Sequence, residues 1–381
     1  MTLSKTIIGA SIAMALASTG TLAADLDDLQ KQLDELKAEN NEILSRLEGS
    51  SGSSAEGHGS SGNTTVGGYG ELHYNNLSSD LDGTDTKEID FHRFVLFIGH
   101  EFNDNIRFFS ELELEHSIAG DGQKGEIELE QAYIEFDTSD NANIKAGLFL
   151  IPVGRINETH EPTTFYGVER NPVEKYIIPA TWWEAGTMFS ANTASGISYD
   201  LAIHSGLFDK TGDVRSARQK VAEAPADSLA YTARIKYTGI AGLELAATAQ
   251  YQSDFSQGTG TVGDAEDGTL LEAHATYAAG NLKLSALYAS WDINFNGGTT
   301  TGKDTQTGSI VEASYKINSN WGVFTRQNNW TNDDGAKDKA QTDAGFNFWP
   351  HEDVVIKADY QAQNDDAGDF DGFNVGIGYQ F

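Results

Sequence analysis

The sequence predicts an all-β fold: a transmembrane antiparallel β-barrel of about sixteen strands, preceded by a short N-terminal coiled-coil helix. Three observations carry this reading. From Thr64 onward, apolar and polar residues alternate with a period of two; short turns and long polar loops take turns along the chain; and the final strand ends on an aromatic residue, Phe381.

Composition excludes a bundle of membrane helices. The chain has 381 residues, a formal net charge of −32, no cysteine, 40 glycines and only 39% hydrophobic residues, with a mean hydropathy of −0.40. A spanning helix needs roughly 18 or more apolar residues in succession, whereas the longest apolar run is Ile7 to Leu16. Together with Lys5 before it and Thr21-Leu22-Ala23 after it, that run reads as a signal peptide over residues 1–23. An exported chain without cysteine has no disulfide staples, and a closed hydrogen-bonded barrel is one alternative source of stability. The acidic balance argues against nucleic acid, whose phosphates demand a basic face.

Residues 24–48 carry a heptad pattern, with Leu26, Leu33, Asn40 and Leu47 at a and Leu29, Leu36 and Ile43 at d. A lone helix of this length is marginal in water, so the stripe is expected to pack on copies of itself in a trimer. Asn40 would restrict register and oligomer state. Residues 49–63 are rich in Gly and Ser and read as a flexible linker.

The barrel is expected over residues 64–381. Ile106, Phe108, Ser110, Leu112 and Leu114 share one strand face while Arg107, Glu111, Glu113 and Glu115 share the other. Val354, Ile356, Ala358, Tyr360 and Ala362 alternate likewise with Lys357, Asp359, Gln361 and Gln363. Seven short turns, such as Asn103-Asp104-Asn105, alternate with eight longer polar loops. That count implies an even number of strands and returns the chain to the side where it began. Strands of ten or more residues are too long for an ordinary sandwich and suit a tilted membrane strand. The last strand, Asp369 to Phe381, is expected to pair with the first, Thr64 to Leu77. Its ending, Tyr379 followed two residues later by Phe381, resembles the signal read by the bacterial outer-membrane assembly machinery.

No cluster looks catalytic: there is no nucleophile elbow, no phosphate-cradling loop and no histidine pair at metal-ligand spacing on a helix. The nine histidines are scattered and read as polar lumen or surface residues. Neither cofactor nor metal is expected. The third long loop, residues 151–181, holds four of the six prolines, Pro152, Pro162, Pro172 and Pro179, together with Phe165, Tyr166, Tyr176, Ile177 and Ile178. Proline removes backbone freedom, so this segment is expected to fold in an ordered form into the barrel and narrow it. Arg155, Arg170 and Lys175 would there face Glu158, Glu161, Glu169 and Glu174, either across a transverse field or in solvated pairs of little energetic weight.

The region from Thr64 keeps 21 basic and 48 acidic residues. Glu111, Glu113 and Glu115, with Glu126, Glu128 and Glu130, would make an acidic field if they face the lumen. Against it stand Arg107, Arg234, Lys236 and Lys357, and a basic loop with Lys210, Arg215, Arg218 and Lys220.

Three stretches then resemble the phosphate-selective porin O and P family: Gly67-Gly68-Tyr69-Gly70-Glu71-Leu72, Gly147-Leu148-Phe149-Leu150-Ile151-Pro152-Val153-Gly154, and Gly376-Ile377-Gly378-Tyr379-Gln380-Phe381. The resemblance covers roughly residues 64 to 381. It implies a homotrimer in which each subunit is its own pore for passive diffusion of small anions such as phosphate. Arg155, Arg170 and Lys175 are the candidates for anion contact, although no continuous arginine ladder maps onto this chain. The expected location is the outer membrane, with the helix in the periplasm. Expected partners are two further copies, outer-membrane lipid and lipopolysaccharide, the barrel-assembly machinery and, as a further candidate, peptidoglycan. Two alternatives stay open: a barrel enzyme, or a barrel anchor whose coiled coil engages the cell wall.

Overall fold

The computed structural model describes residues 63–80, 85–120, 124–298, 302–332, 339–364 and 369–381. The segments read from sequence as signal peptide and coiled coil, and nearly all of the expected linker, lie outside the described residues. From there the chain forms sixteen strands: β1 (Thr64–Ser79), β2 (Thr86–Asn103), β3 (Ile106–Glu115), β4 (Ile127–Ser139), β5 (Ala142–Leu150), β6 (Trp183–Asn192), β7 (Ile197–His204), β8 (Ala230–Ile240), β9 (Leu243–Gln252), β10 (Ala265–Ala279), β11 (Leu282–Phe295), β12 (Thr305–Lys316), β13 (Trp321–Thr331), β14 (Lys339–His351), β15 (Val354–Asn364) and β16 (Phe370–Gln380).

Every strand pairs antiparallel with its sequence neighbours, and β1 with β16 closes the barrel. The closing seam runs from Tyr69 opposite Gln380 to Ser79 opposite Phe370. Phe381 clinches it: its N–H donates to the Gly68 carbonyl and its own carbonyl accepts from the Gly68 N–H, both at 2.9 Å. No strand edge is left to face lipid, where an unpaired backbone group would cost several kcal/mol. Among the described residues no helix is long and apolar enough to cross a membrane.

Alternation sorts the faces. On β9, Leu245 and Tyr251 are exposed at 42% and 45% while Gln250 and Gln252 are buried at 1% and 0%. Apolar outside and polar inside is the inverse of a soluble sheet and matches a barrel in lipid. On β2 the alternation is interrupted by a bulge: Glu71 opposes Arg93, but His73 opposes Asp90. The extra residue lets His92 and Arg93 both turn inward, as bulges re-aim side chains.

The interior departs from the expected wet face on one side. Leu287, Ala289, Trp291, Ile293 and Phe295 of β11 point inward and are buried, with Leu270 of β10, Ile310 of β12 and Trp330 of β13. They pack with Val173, Ile177 and Ile178 of the third long loop and Leu207, Val214 and Ala217 of the fourth in one apolar cluster. At about 1.5–3 kcal/mol for each large side chain withdrawn from water, this cluster holds both loops inside the barrel.

The third loop is clasped at its neck. Buried Asn157 donates to the carbonyls of Ile151 at 2.8 Å and Trp182 at 2.9 Å and accepts from the Trp182 N–H at 2.7 Å. A short helix, α1 (Pro172–Tyr176), follows, with Asn171 as N-cap and proline in its first turn. Trp291 Nε1 donates to the Ile177 carbonyl at 2.8 Å. Two inward glycines make room: a Cβ at Gly308 would lie 2.5 Å from Val173 Cγ1, and one at Gly378 would lie 2.4 Å from Pro162 Cβ. Gly378 belongs to the closing sequence motif, which therefore serves loop packing as well as strand closure.

Candidate functional site

Several cavities lie between the loops and the polar wall of the barrel. An outer vestibule of about 580 Å³ opens at the loop end, between the inner faces of β1–β4 and the third and fourth loops. At the turn end lie cavities of about 740 Å³, beneath Phe165 and Tyr166, and about 370 Å³, beside His160 and Glu161.

The vestibule separates charge by wall. One side presents Glu113, Glu115, Glu126, Glu128 and Glu130 from β3, the adjoining loop and β4, and the other Arg170, Lys175, Arg215 and Arg218 from the two loops. Lys220 crosses the gap and bonds Glu126 and Glu128. None of the four facing cations has a carboxylate in ion-pair contact among the described residues. Arg215 Nη1 instead donates to the carbonyls of Lys175 at 2.7 Å and Ala180 at 3.1 Å. Arg218 donates to the Thr181 carbonyl. Arg170 donates through Nη1 to Thr181 Oγ1, leaving Nε and Nη2 buried without a partner. Burial, reinforced by Arg218, lowers the Arg215 guanidinium to about 10, and burial with Arg93 lowers Arg170. Carbonyl and hydroxyl oxygens orient these guanidinium groups without neutralising them, which leaves their positive charge available to an anion.

Four other arginines inside the barrel are paired with carboxylates. Arg93 Nε lies 2.6 Å from Glu71 Oε1, Arg155 Nη2 is 3.2 Å from Glu312 Oε1, and Arg326 Nε is 3.0 Å from Asp343 Oδ2. Arg234 joins Glu158 and, at 2.8 Å, Asp200.

Between vestibule and inner cavities, two histidines tie the third loop to the wall. His160 Nδ1 is 3.1 Å from the Asn157 carbonyl, which only accepts, so Nδ1 carries a proton. Its Nε2 lies 3.3 Å from Glu111 Oε1 and 3.4 Å from Glu130 Oε2, at ion-pair distance to two carboxylates, and this favours a second proton. Burial disfavours the cation, but Glu111 and Glu130 outweigh it and raise His160 to about 10. On β1, His73 meets Glu169 Oε1 at 2.9 Å and Glu71 Oε2 at 3.1 Å. Burial alone would raise the Glu169 carboxyl; His73 holds it below the usual carboxylate range instead. Lys357 Nζ sits 3.7 Å from the Phe165 ring centre and donates to the Gly167 carbonyl at 2.9 Å.

The constriction residues named from sequence therefore separate. Arg170 and Lys175 line the vestibule, Glu158 and Glu161 line an inner cavity, and Arg155 is spent on Glu312. Glu174 faces no cavity: fully buried, it accepts from the backbone N–H groups of Arg155 and Ile156 and from Asn171 Nδ2. Asn171 caps α1 by accepting from the Glu174 N–H at 2.8 Å, and the Glu174 carboxylate ties that helix start to the loop neck at residues 155–156. Of the lumen charges, Glu111, Glu113, Arg234 and Lys357 are buried inside, Glu115 lines the vestibule, and Lys236 is half-buried. Arg107 sits at the turn end, donating to Glu135 Oε1 at 2.8 Å. Tyr379 lies on the closing seam, and Phe381 is 61% exposed, its ring stacked on Phe94. His73, His92, Arg93 and His116 were missed because a bulge and long-range pairing, invisible to spacing, bring them to the vestibule.

A closed antiparallel barrel of sixteen strands, with an inserted third loop and a lumen of segregated charge, defines a porin-type barrel. The chain belongs to the phosphate-selective porin O and P family, which matches residues 66–381. Solved structures share the fold. The anion-selective porin from Comamonas acidovorans aligns at TM-score 0.62 with 12% identity, covering 84% of this chain and 100% of that one. The outer membrane channel DcaP of Acinetobacter baumannii aligns at 0.58 with 14% identity, over 86% and 100%. OmpT of Vibrio cholerae in its trimer form aligns at 0.57 with 12% identity, over 84% and 99%. An uncharacterized protein of Aquifex aeolicus (strain VF5) is 36% identical over 254 residues, which is 64% of this chain and 53% of that one. The chain thus spans about half the length of that curated relative.

Proposed function

We propose that the protein is an outer-membrane porin that passes small hydrophilic solutes by passive diffusion and draws anions to the ledge formed by Arg170, Arg215 and Arg218. The observation that carries this reading is that ledge: three guanidinium groups lining a water-accessible vestibule, two oriented by carbonyls and Arg170 by the Thr181 hydroxyl, and opposed across the gap by glutamates. A transverse field of this kind aligns dipolar solutes and gives anions a lane of their own in an otherwise acidic channel. Family membership supports the channel reading over a barrel enzyme. The trimeric OmpT structure supports assembly of this chain as a homotrimer, each subunit a separate pore. On this reading residues 1–23 direct export, and the heptads of residues 24–48 reinforce the trimer from the periplasm.

Planar-bilayer recording in a salt gradient tests the proposal. Folded protein should give discrete conductance steps. The triple substitution Arg170→Gln, Arg215→Gln, Arg218→Gln should move the reversal potential toward cation preference and weaken current block by phosphate at least tenfold. Absence of conductance from folded trimers would sink the channel reading. Unchanged reversal potential in the triple variant would remove the arginine ledge from the mechanism.

A further inference from the structure

Asp90, His92 and His116 converge on the vestibule wall in a way that neither the solute path nor the barrel requires. The β2 bulge turns His92 inward, two residues from Asp90 on the same wall. His116 arrives from the end of β3 in a left-handed conformation, φ 50°, followed by Ser117 at 53°. Its backbone N–H donates to the His92 carbonyl at 3.2 Å, fixing the turn that aims its ring back at Asp90.

The donor geometry suits an ion. Asp90 Oδ2 lies 3.2 Å from His92 Nδ1 and 2.9 Å from His116 Nδ1, and all three ligand atoms fall within 4.8 Å of one another. Tetrahedral arms of about 2.1 Å separate adjacent ligand atoms by about 3.4 Å, so small outward shifts seat a metal. The His73 ring stacks on His92 at 4.7 Å and 13°. Its own nitrogens are occupied by Glu71 and Glu169, so it acts as a wall that holds the His92 ring plane. The three side chains keep 22–37% of their surface open, which leaves room for entry and for a solvent ligand.

Other groupings of possible ligands fare worse. Glu126 and Glu128 already hold the Lys220 ammonium. Glu111 and Glu130 already hold His160 and are sealed from solvent. His351, Glu352 and Asp353 are consecutive residues at a turn, and the His351 side chain is 62% exposed.

We propose that Asp90, His92 and His116 form a binding site for a divalent transition-metal ion of the zinc, nickel or copper type, with one coordination position open to the vestibule. Two imidazoles and a carboxylate select such ions over calcium and magnesium, which prefer all-oxygen sites.

The test uses the full folded protein, stripped with chelator and titrated with Zn2+ by calorimetry and with Co2+ by visible absorption. One ion per chain is expected, with a d–d band from Co2+ that excess Mg2+ does not remove. Asp90→Asn, His92→Ala and His116→Ala should each weaken binding at least tenfold, while His351→Ala leaves it unchanged. Strand circular dichroism and heat-modifiable gel mobility verify folding; should His92→Ala disturb the bulge, His116→Ala beyond the strand end decides. Less than one ion per chain, or affinity unchanged in folded His116→Ala and Asp90→Asn, overturns the site.

Discussion

Replacing His160 with glutamine removes the imidazolium held between Glu111 and Glu130. The ring is 2% exposed, and its pKa is raised from 6.5 to about 10. At about 1.4 kcal/mol per unit, that difference corresponds to about 5 kcal/mol favouring the charged ring in the folded protein. Removing one partner of a buried charged group costs about 3–5 kcal/mol, so a net loss of about 3 kcal/mol is expected. The sign follows from the raised pKa: the contribution is fully present below about pH 6.5 and is lost as pH rises through about 10. Arg170, whose charge opposes that of the ring, is already counted in the raised value. Denaturant unfolding in detergent, at about pH 6 and about pH 11, reads the gap between wild type and His160→Gln. A gap that narrows to under about 1 kcal/mol at the higher pH supports the latch. A gap equal at both values, or absent at the lower one, refutes it.

Two other substitutions probe how the third loop is held. Glu174→Ala leaves the N–H groups of Arg155 and Ile156 and the Asn171 amide without their acceptor, at about 1–3 kcal/mol for each group that stays buried; limited proteolysis should then cleave the 151–182 segment in folded barrels, with larger, noisier single-channel currents. Trp291→Ala opens a cavity under α1 and removes the bond to the Ile177 carbonyl, lowering stability by about 3–5 kcal/mol, measured as an earlier unfolding midpoint with the reversal potential unchanged.

The strand count and closing seam were legible because a barrel repeats one physical rule, a period of two interrupted by punctuation of two lengths, and repetition averages out local ambiguity. The expected seam between the first and last strands is the one observed, from Tyr69 opposite Gln380. The facing of Ile89 to Glu101 is not legible in sequence, because the bulge beside His92 shifts the alternation by one. The inner face of β11 was hidden as well, because Leu287, Trp291 and Phe295 face an apolar loop, and both of its faces are therefore greasy. Glu174 was placed in a charged constriction from its position alone. Its burial follows from the bonds it accepts from the Arg155 and Ile156 N–H groups, a contact across the loop that spacing does not display. Arg170 and Lys175 do reach the vestibule, but the arginines that complete the ledge with Arg170, Arg215 and Arg218, come from a loop about forty residues further on, and only tertiary packing joins them.

The apolar cluster between β10–β13 and the two inserted loops divides the labour of the barrel interior. Its side chains carry no charge and pack against the loops away from the vestibule, so on the proposed reading their volume sets how far the loops stand off the opposite wall. The β1–β4 wall and the arginine ledge, conversely, set sign and field without fixing width. Aperture and selectivity are thereby governed by separate sets of residues. Trimming Leu287 or Ile310 should retune size alone, while exchanging charges at Glu113 or Arg218 should retune preference alone, which makes this barrel a scaffold in which a nanopore engineer can adjust two properties independently.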